Sequence, residues 1–432
     1  MNDRLTHKWL DEWNVREFLE EQRRLGRAML SEANIARYAS DHEKAADLLE
    51  KAHLNGEDAA RARILRAITE PIAALHLNSI PTYYSYTGVN VLDEYVDERL
   101  DLDAQKILCV TGLRGLLLEL TRFESQSIVG IEPWSTGRLD RDIACRRLQL
   151  LLSEFNSLKE LSVAVNASVN SHLPTPRFHK TLRGYCEDRL SAVIHFTCLP
   201  RTQFHDEVLF LRTIAEDELC FKGIYIAIRQ AVEAIERNMP EAAPYLISQA
   251  NAFAVMLHQS FRVLQSMPPS HFADFRDATG NASAVQSYGY QRLDIALFGL
   301  NPEKIPIYQR IRHLQSLVQF AGRDYASFGS VLARTHPTNA VWDEIVELSR
   351  RLDRHLLSWR GLHLSFALCY LPPEANGTGG TAGPSYLRKY LKHTLFPDTE
   401  PDYELIKEVF GEVREIQELF SRIAPPRRLW GS

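Results

Sequence analysis

Long apolar runs are missing from this 432-residue chain. The longest, such as IYIAI and LLLEL, fall far short of the roughly 20 residues that a membrane-spanning helix needs. The opening stretch, MNDRLTHKWLDEW, carries no apolar signal segment either. A cytoplasmic protein with no membrane partner is therefore expected. CxxC pairs are missing as well. Cys109, Cys145, Cys186, Cys198, Cys220 and Cys369 stand far apart, which indicates neither a zinc site nor a disulfide framework and fits small buried hydrophobes in a reducing compartment. No sign of charge dominates: 50 Lys and Arg against 55 Asp and Glu give a formal charge of −5 without basic blocks, so no footprint for nucleic acid is present. What is present is 45% hydrophobic and 24% charged residues, enough for a well-filled core in one large domain or two.

Residues 1 to about 75 read as helices. RYASDHEKAADLLEKAH and EDAARARILRAITEPIAALHL space apolar residues by three and four, with breaks expected at Asn55-Gly56 and at Pro71. IPTYYSYTG, from Ile80 to Gly88, reads as an aromatic-rich connector. KILCVTG, LRGLLLELTRF and SIVGIEP then read as strand, helix and strand, a βαβ-like unit from Lys106 to Pro133. That unit resembles the first half of a nucleotide- or methyl-donor-binding sheet, with Glu132 where an acidic ribose-binding residue would stand. Only Gly112 and Gly115 occupy the turn, however, and such turns need several glycines for backbone to approach a phosphate.

From about His205 the texture is helical again. HDEVLFLRTIAEDELCFKGIYIAIRQAVEAIERN is one long run, and a second spans 244 to 267, with Leu246, Phe253, Leu257, Phe261 and Leu264 on one stripe before Pro268-Pro269. A third begins near Pro306, a fourth covers about 339 to 371, and a last one, 402 to 422, carries Leu405, Val409, Val413, Ile416 and Phe420. Helices with short or medium connections imply a bundle. The fold expected is mainly α: a helical bundle over 201–432, preceded by a mixed helical and βαβ-like region over 1–200.

On the fourth helix Ile345, Leu348, Leu352, Leu356, Trp359, His363, Phe366 and Tyr370 recur at three and four spacing. At 100° per residue they stay within about 60° of a common direction, while His355, near the edge of the stripe, lies about 80° from His363. His363 thus stands in the middle of an apolar stripe. A lone histidine there is ordinarily a core residue bonded to a carbonyl. This one is followed by GTGGT, Gly377 to Thr381, whose bare backbone lets a small polar or anionic group approach closely. A neutral imidazole among Trp359, Leu362 and Phe366 suits a haem iron ligand.

Three ordered blocks resemble the haem-dependent tryptophan 2,3-dioxygenase family and its wider superfamily. HDEVLFLRTIAEDELCFK (His205 to Lys222) is similar to HDE-x-LF closing in EL-x-FK. DFRDATGNASAVQS (Asp274 to Ser287) is similar to DFR followed by AS-x-x-QS. WRGLHLSF followed by GTGGTAGPSYL is similar to WR-x-x-H followed by GTGG. The likeness covers roughly residues 200 to 395.

The resemblance implies a helical haem domain binding haem b, with His363 as the proximal iron ligand, Trp359, Gly379 and Gly380 about the cofactor, and O2 as co-substrate. It gives Arg276 the substrate carboxylate, which a planar guanidinium can clamp with two parallel bonds. Thr378 would meet the substrate ammonium and carboxylate, Phe210 would pack on its ring, and Ser283 would lie near the distal face of the haem. Singly, each has an ordinary reading as a packing, capping or solvated residue, and HDE at a helix start is equally explained by capping and dipole effects of Asp206 and Glu207 beside His205.

One position departs from the family. Where the tryptophan dioxygenases carry a distal histidine, four residues after the phenylalanine, this chain has Ile214, which shares a helix face with Phe210. A buried indole N–H without an acceptor is destabilised by roughly 1–3 kcal/mol, so no acid or base is assigned at that position and tryptophan itself is put in question. The expectation is a divergent, oligomeric (dimer or tetramer) haem oxygenase acting on a small indole- or phenol-type amino acid or derivative, ring-opening dioxygenation being favoured. The alternatives are a haem-dependent aromatic hydroxylase of specialised metabolism, a methyl-donor- or nucleotide-dependent enzyme using the 106–133 segment, and a non-catalytic haem-binding or helical scaffold.

Overall fold

The computed structural model describes residues 9–10, 12–25, 27, 30–51, 56–96, 98–129, 140–166, 189–321, 326–371, 384–397, 402, 404–411 and 414. The described residues are helical, with no strand among them. In the N-terminal half run α1 (Val15–Leu25), α2 (Glu32–Lys51), α3 (Gly56–His76), α4 (Tyr83–Thr87), α5 (Val91–Tyr95), α6 (Leu102–Val129), α7 (Arg141–Ala164) and α8 (Arg189–Phe196). The second half holds α9 (His205–Glu236), α10 (Ala243–Leu264), α11 (Pro269–Thr279), α12 (Tyr288–Phe298), the shorter α13 (Ile305–Arg310), α14 (Gln315–Ala321) and α15 (Phe328–Leu332), then α16 (Ala340–Tyr370) and α17 (Pro384–Tyr390).

The 32-residue α9 is the centre of the bundle. It packs on α10, α6 and α12, while α10 also packs on α7 and α16, and α6 pairs with α7. Such a central helix cannot be amphipathic in the surface sense. Ile224, Ile226, Ala227 and Ile228 are all buried, and each fully buried aliphatic side chain contributes roughly 1.5–3 kcal/mol of transfer free energy. Starts are fixed by side-chain caps: Asp140 accepts from the Asp142 and Ile143 amides, Ser287 from Tyr290 and Asn339 from Trp342. One hydrophobic core runs from Tyr83 to Val409 through α6, α7, α9, α10 and α16, and a smaller one lies among α1, α2, α3 and α8.

The βαβ-like unit expected over Lys106 to Pro133 is not there: residues 102–129 are the single helix α6, and Glu132 and Pro133 lie outside the described residues. The reason is burial on more than one side. Leu108, Cys109, Val110, Gly112 and Leu113 are all enclosed, so KILCV shows no alternation that would separate a strand from an interior helix. Gly112 serves close packing: a Cβ there would stand 2.8 Å from Leu219 Cδ1. With the strands goes the basis of the methyl-donor or nucleotide reading.

Two smaller expectations are also corrected. Pro71 does not break the second N-terminal helix, since α3 continues through it to His76. A proline removes one ladder hydrogen bond, and burial of Ile68, Ile72 and Ala73 around it offsets that loss. The IPTYYSYTG connector folds into α4, whose entry is held by the Ser85 hydroxyl accepting from the Thr82 amide at 2.8 Å. Gly88 ends it at φ +69, and a Cβ there would stand 2.7 Å from the Phe196 carbonyl oxygen. Among the described cysteines, Cys109, Cys198 and Cys220 are buried, Cys369 is intermediate and Cys145 is exposed, and none of them is joined to another described cysteine; Cys186 lies outside the described residues. None of the described helices is long and apolar enough to cross a membrane. Of the last stripe only Leu405 and Val409 fall in described helix, over 404–411.

Candidate functional site

One face of α9 presents Phe210, Thr213, Ile214, Asp217 and Phe221 at three- and four-residue steps, and all five line a cavity of about 250 Å³. From α16 the same cavity receives Trp359, His363 and Phe366, and from α11 it receives Phe272 and Arg276. Ser283 borders it from the turn before α12, and Tyr83, Tyr86 and Thr87 close it from α4. The sequence blocks at 205–222, 274–287 and 359–366 therefore converge on one space. The third block's continuation does not enter this account, because Thr378, Gly379 and Gly380 lie outside the described residues.

His363 is held by aromatic rings, Phe261 at 5.4 Å and Trp359 at 5.7 Å between centroids. Its imidazole has no hydrogen-bond partner among the described residues, and burial pushes its pKa down to about 4. It is thus neutral at neutral pH, with a nitrogen lone pair free for a metal. Beside it the Trp359 indole Nε1 is buried and makes no hydrogen bond among the described residues, and Trp359 packs edge-on against Phe221 and Phe261. A neutral imidazole and an orphan indole donor in an apolar cleft form a donor set that fits haem, an apolar macrocycle with polar edges.

Arg276 sits in the last turn of α11, and its guanidinium makes no hydrogen bond or ion pair among the described residues. A cation bordering a mostly apolar cavity without a counter-ion fits a carboxylate. Phe210 stands among Phe272 and Phe275, each 5.6 Å away between centroids, with Tyr86 at 6.4 Å. Ser283 stands at the start of the short turn that carries Val285, without a side-chain capping hydrogen bond.

His205 is elsewhere. Its ring stacks on Phe123 at 4.5 Å and its Nε2 lies 3.0 Å from Glu124 Oε2. Glu124, His205 and Asp206 bring ligand-type atoms within 4.8 Å of one another, but Arg147 already places Nη1 2.7 Å from Glu124 and 2.8 Å from Asp206. A guanidinium in that position is the cation of the cluster. Burial opposes ionisation of Asp206, yet the Arg147 charge and a hydrogen bond with His271 hold its pKa below the usual carboxylate range. Glu207 accepts from the Arg201 and Thr202 amides at 2.9 and 2.7 Å. The HDE segment thus anchors the start of α9.

Sequence reading passed over Tyr83, Tyr86 and Thr87, for which the aromatic density of IPTYYSYTG was the available signal, and over Thr213 and Asp217, which the same helical arithmetic that joins Phe210 to Ile214 would have placed on the cavity face.

The family model described as Tryptophan 2,3-dioxygenase matches residues 188–319, a span that contains the first two blocks. Among curated proteins, the tryptophan 2,3-dioxygenase of Bacillus thuringiensis subsp. konkukian is 27% identical over 230 residues, 45% of this chain and 82% of the relative. That of Geobacillus thermodenitrificans is 26% identical over 230 residues, with the same coverage. The Shewanella woodyi protein of the same description is 23% identical over 235 residues, 46% of this chain and 82% of its own.

Proposed function

We infer the reaction from the premise that this chain is a divergent member of the tryptophan 2,3-dioxygenase family. A dioxygenase-like oxidoreductase function follows at that level. We propose more specifically a haem-dependent oxygenase that inserts O2-derived oxygen into an indole- or phenol-type amino acid or derivative, by ring-opening dioxygenation. The observation that carries this reading is a pair of groups in one apolar cavity that have no partner among the described residues, the neutral His363 imidazole and the Arg276 guanidinium.

In this reading His363 holds the haem iron, and Trp359, Gly379 and Gly380 lie about the cofactor. When bound, the haem supplies the activation of O2. The chain supplies position and exclusion. Arg276 takes the substrate carboxylate in a two-bond clamp, and Thr378 meets the ammonium end. Phe210, with Phe272 behind it, packs on the substrate ring, and Ser283 borders the oxygen-binding side. Ile214 keeps that side dry. Residues 201–432 form the haem-binding unit, its wall completed by Tyr83, Tyr86 and Thr87 from the N-terminal region, in a homo-oligomer.

The test is the full-length protein purified from haem-supplemented cells. A Soret band that shifts with CO after reduction, and products from labelled O2 carrying two heavy oxygens on an indole or phenol amino acid, are expected. A colourless protein, or no turnover across such a panel, overturns the reading. A single labelled oxygen in the product would instead give aromatic hydroxylation, the second reading. It has support in Asp217, an acid bordering the cavity, because reducing the other oxygen atom to water takes two protons, together with two electrons from an external reductant, and ring opening takes neither.

A further inference from the structure

Ser260 on α10 has one hydroxyl proton and two oxygens within reach, the Leu257 carbonyl at 3.0 Å and a carboxyl oxygen of Asp217 at 2.7 Å. A hydroxyl donates once. Both contacts are hydrogen bonds together only if Asp217 carries a proton and gives it to Ser260 Oγ, leaving Ser260 to donate to Leu257. The surroundings agree. Among the described residues no Lys, Arg or His forms an ion pair with Asp217, and the buried Glu154 and Glu216 lie close enough to couple to it electrostatically. Burial, reinforced by the neighbouring carboxyls, pushes Asp217 well above the usual carboxylate range.

That assignment leaves one oxygen of Asp217 to be accounted for. In a neutral acid whose O–H is given to Ser260, the remaining carbonyl oxygen is an acceptor, and no second hydrogen bond reaches Asp217 among the described residues. Asp217 borders the cavity one helical turn beyond Ile214, on the same face of α9. An acceptor turned to an apolar cavity and left unmade is unfavourable, whereas one that meets a ligand donor is an affinity and specificity element.

We propose that the free carboxyl oxygen of Asp217 accepts a hydrogen bond from the ring N–H or O–H of an aromatic amino-acid substrate, and so provides the polar contact that Ile214 lacks. Asp217 is then the residue that restricts this cavity to rings carrying a donor. The inference rests on the proposed function, because it takes the ligand to be an aromatic amino acid anchored at Arg276.

Calorimetric titration of the haem-loaded full-length protein tests it with ligand pairs that differ only in the donor: L-tryptophan against benzothienyl-L-alanine, and L-tyrosine against L-phenylalanine. In whichever pair binds, loss of the donor weakens Kd by more than about tenfold in the unaltered protein. In Asp217→Leu the parent ligand falls to the level of its analogue, and the ratio within the pair drops to about one. Asp217→Asn, which keeps a carbonyl oxygen, retains most of the discrimination. Equal affinity for parent and analogue in the unaltered protein overturns the inference without reliance on any variant, as does discrimination that survives in a folded Asp217→Leu. The two readings separate through Arg276→Lys: if it weakens every ligand while the donor has no effect, the proposed function stands and the role of Asp217 falls. If no aromatic amino acid binds at all, both fall.

Discussion

The Arg147 guanidinium meets the Asp206 carboxylate at 2.8 Å, and neither side chain has exposed surface. The same nitrogen lies 2.7 Å from Glu124, and Arg147 Nε donates to Ser266 Oγ at 2.8 Å, so one cation on α7 ties α6 to the start of α9 and to the turn after α10. Removing one member of a buried ion pair strands the others. Arg147→Ala should therefore destabilise the protein by about 3–5 kcal/mol, read as a lowered midpoint in urea. Arg147→Met combined with Glu124→Gln and Asp206→Asn should recover part of that loss. A single variant within 1 kcal/mol of the parent, on the order of a surface ion pair, would show the network to be energetically idle.

His363→Ala should abolish the Soret band while leaving the helical circular dichroism signal in place, because the ring contributes packing against Phe261 and Trp359 and no hydrogen bond among the described residues. Added imidazole should restore part of the absorbance by filling the vacated space. Haem retained at full occupancy in the variant would assign the iron to another ligand.

Arg276→Lys should keep the haem spectrum and weaken amino-acid binding by more than about tenfold, since an ammonium cannot give the two parallel bonds of a guanidinium. Titration followed by the Soret perturbation measures it. Unchanged affinity would mean that the substrate carboxylate is bound elsewhere.

Stability should fall as pH rises above neutrality. Burial pushes Glu216 up to about 8, with Arg212 pulling the other way. A raised folded value means that the stabilisation is complete below the unfolded value, near 4.5, and is lost as pH climbs through the folded one. His258, His355 and His363, pushed down to about 4 mainly by burial, act in the opposite sense, but only below 6.5. Between pH 6.5 and 8 the carboxyls are left alone, each contributing a decline of about 1 kcal/mol per pH unit. Glu154 and Asp217, also held neutral by burial, add to it. Urea midpoints across this range should drop, and Glu216→Gln should make the slope shallower by about 1 kcal/mol per pH unit. A flat profile in the parent protein would contradict this.

The long helices of the second half were legible because their apolar residues recur at helical spacing and their ends carry caps and prolines: Asn339 and the pair Pro268-Pro269 sit at the boundaries the structure draws. α6 was not, because its KILCV stretch is buried apart from the half-buried Ile107, its outer stripe carries the exposed Leu118 between Arg114 and Arg122, and its glycines imitate a turn when they are in fact packing sites for Leu219 and Leu190. Within the cavity, Phe210, Ile214, Arg276, Ser283, Trp359 and His363 could be named because they stand in ordered motifs. Tyr86 could not, since nothing local links it to Phe210. The place of Asp217 was within reach of the helical spacing, but its charge state was not. Its protonation depends on the proton count at Ser260, 43 positions along the chain, and no spacing rule reports on that.

Tyr83, Tyr86 and Thr87 reach the cavity from far upstream of every motif that identifies it. A shortened protein cut at the start of α9 would consequently hold the recognisable motifs and lack a side of the chamber, letting water in and the ligand out. Any minimal version made for engineering has to begin ahead of α4. Sequence change in that short aromatic segment is also a route to altered ligand choice, one that a search confined to the recognisable motifs would overlook.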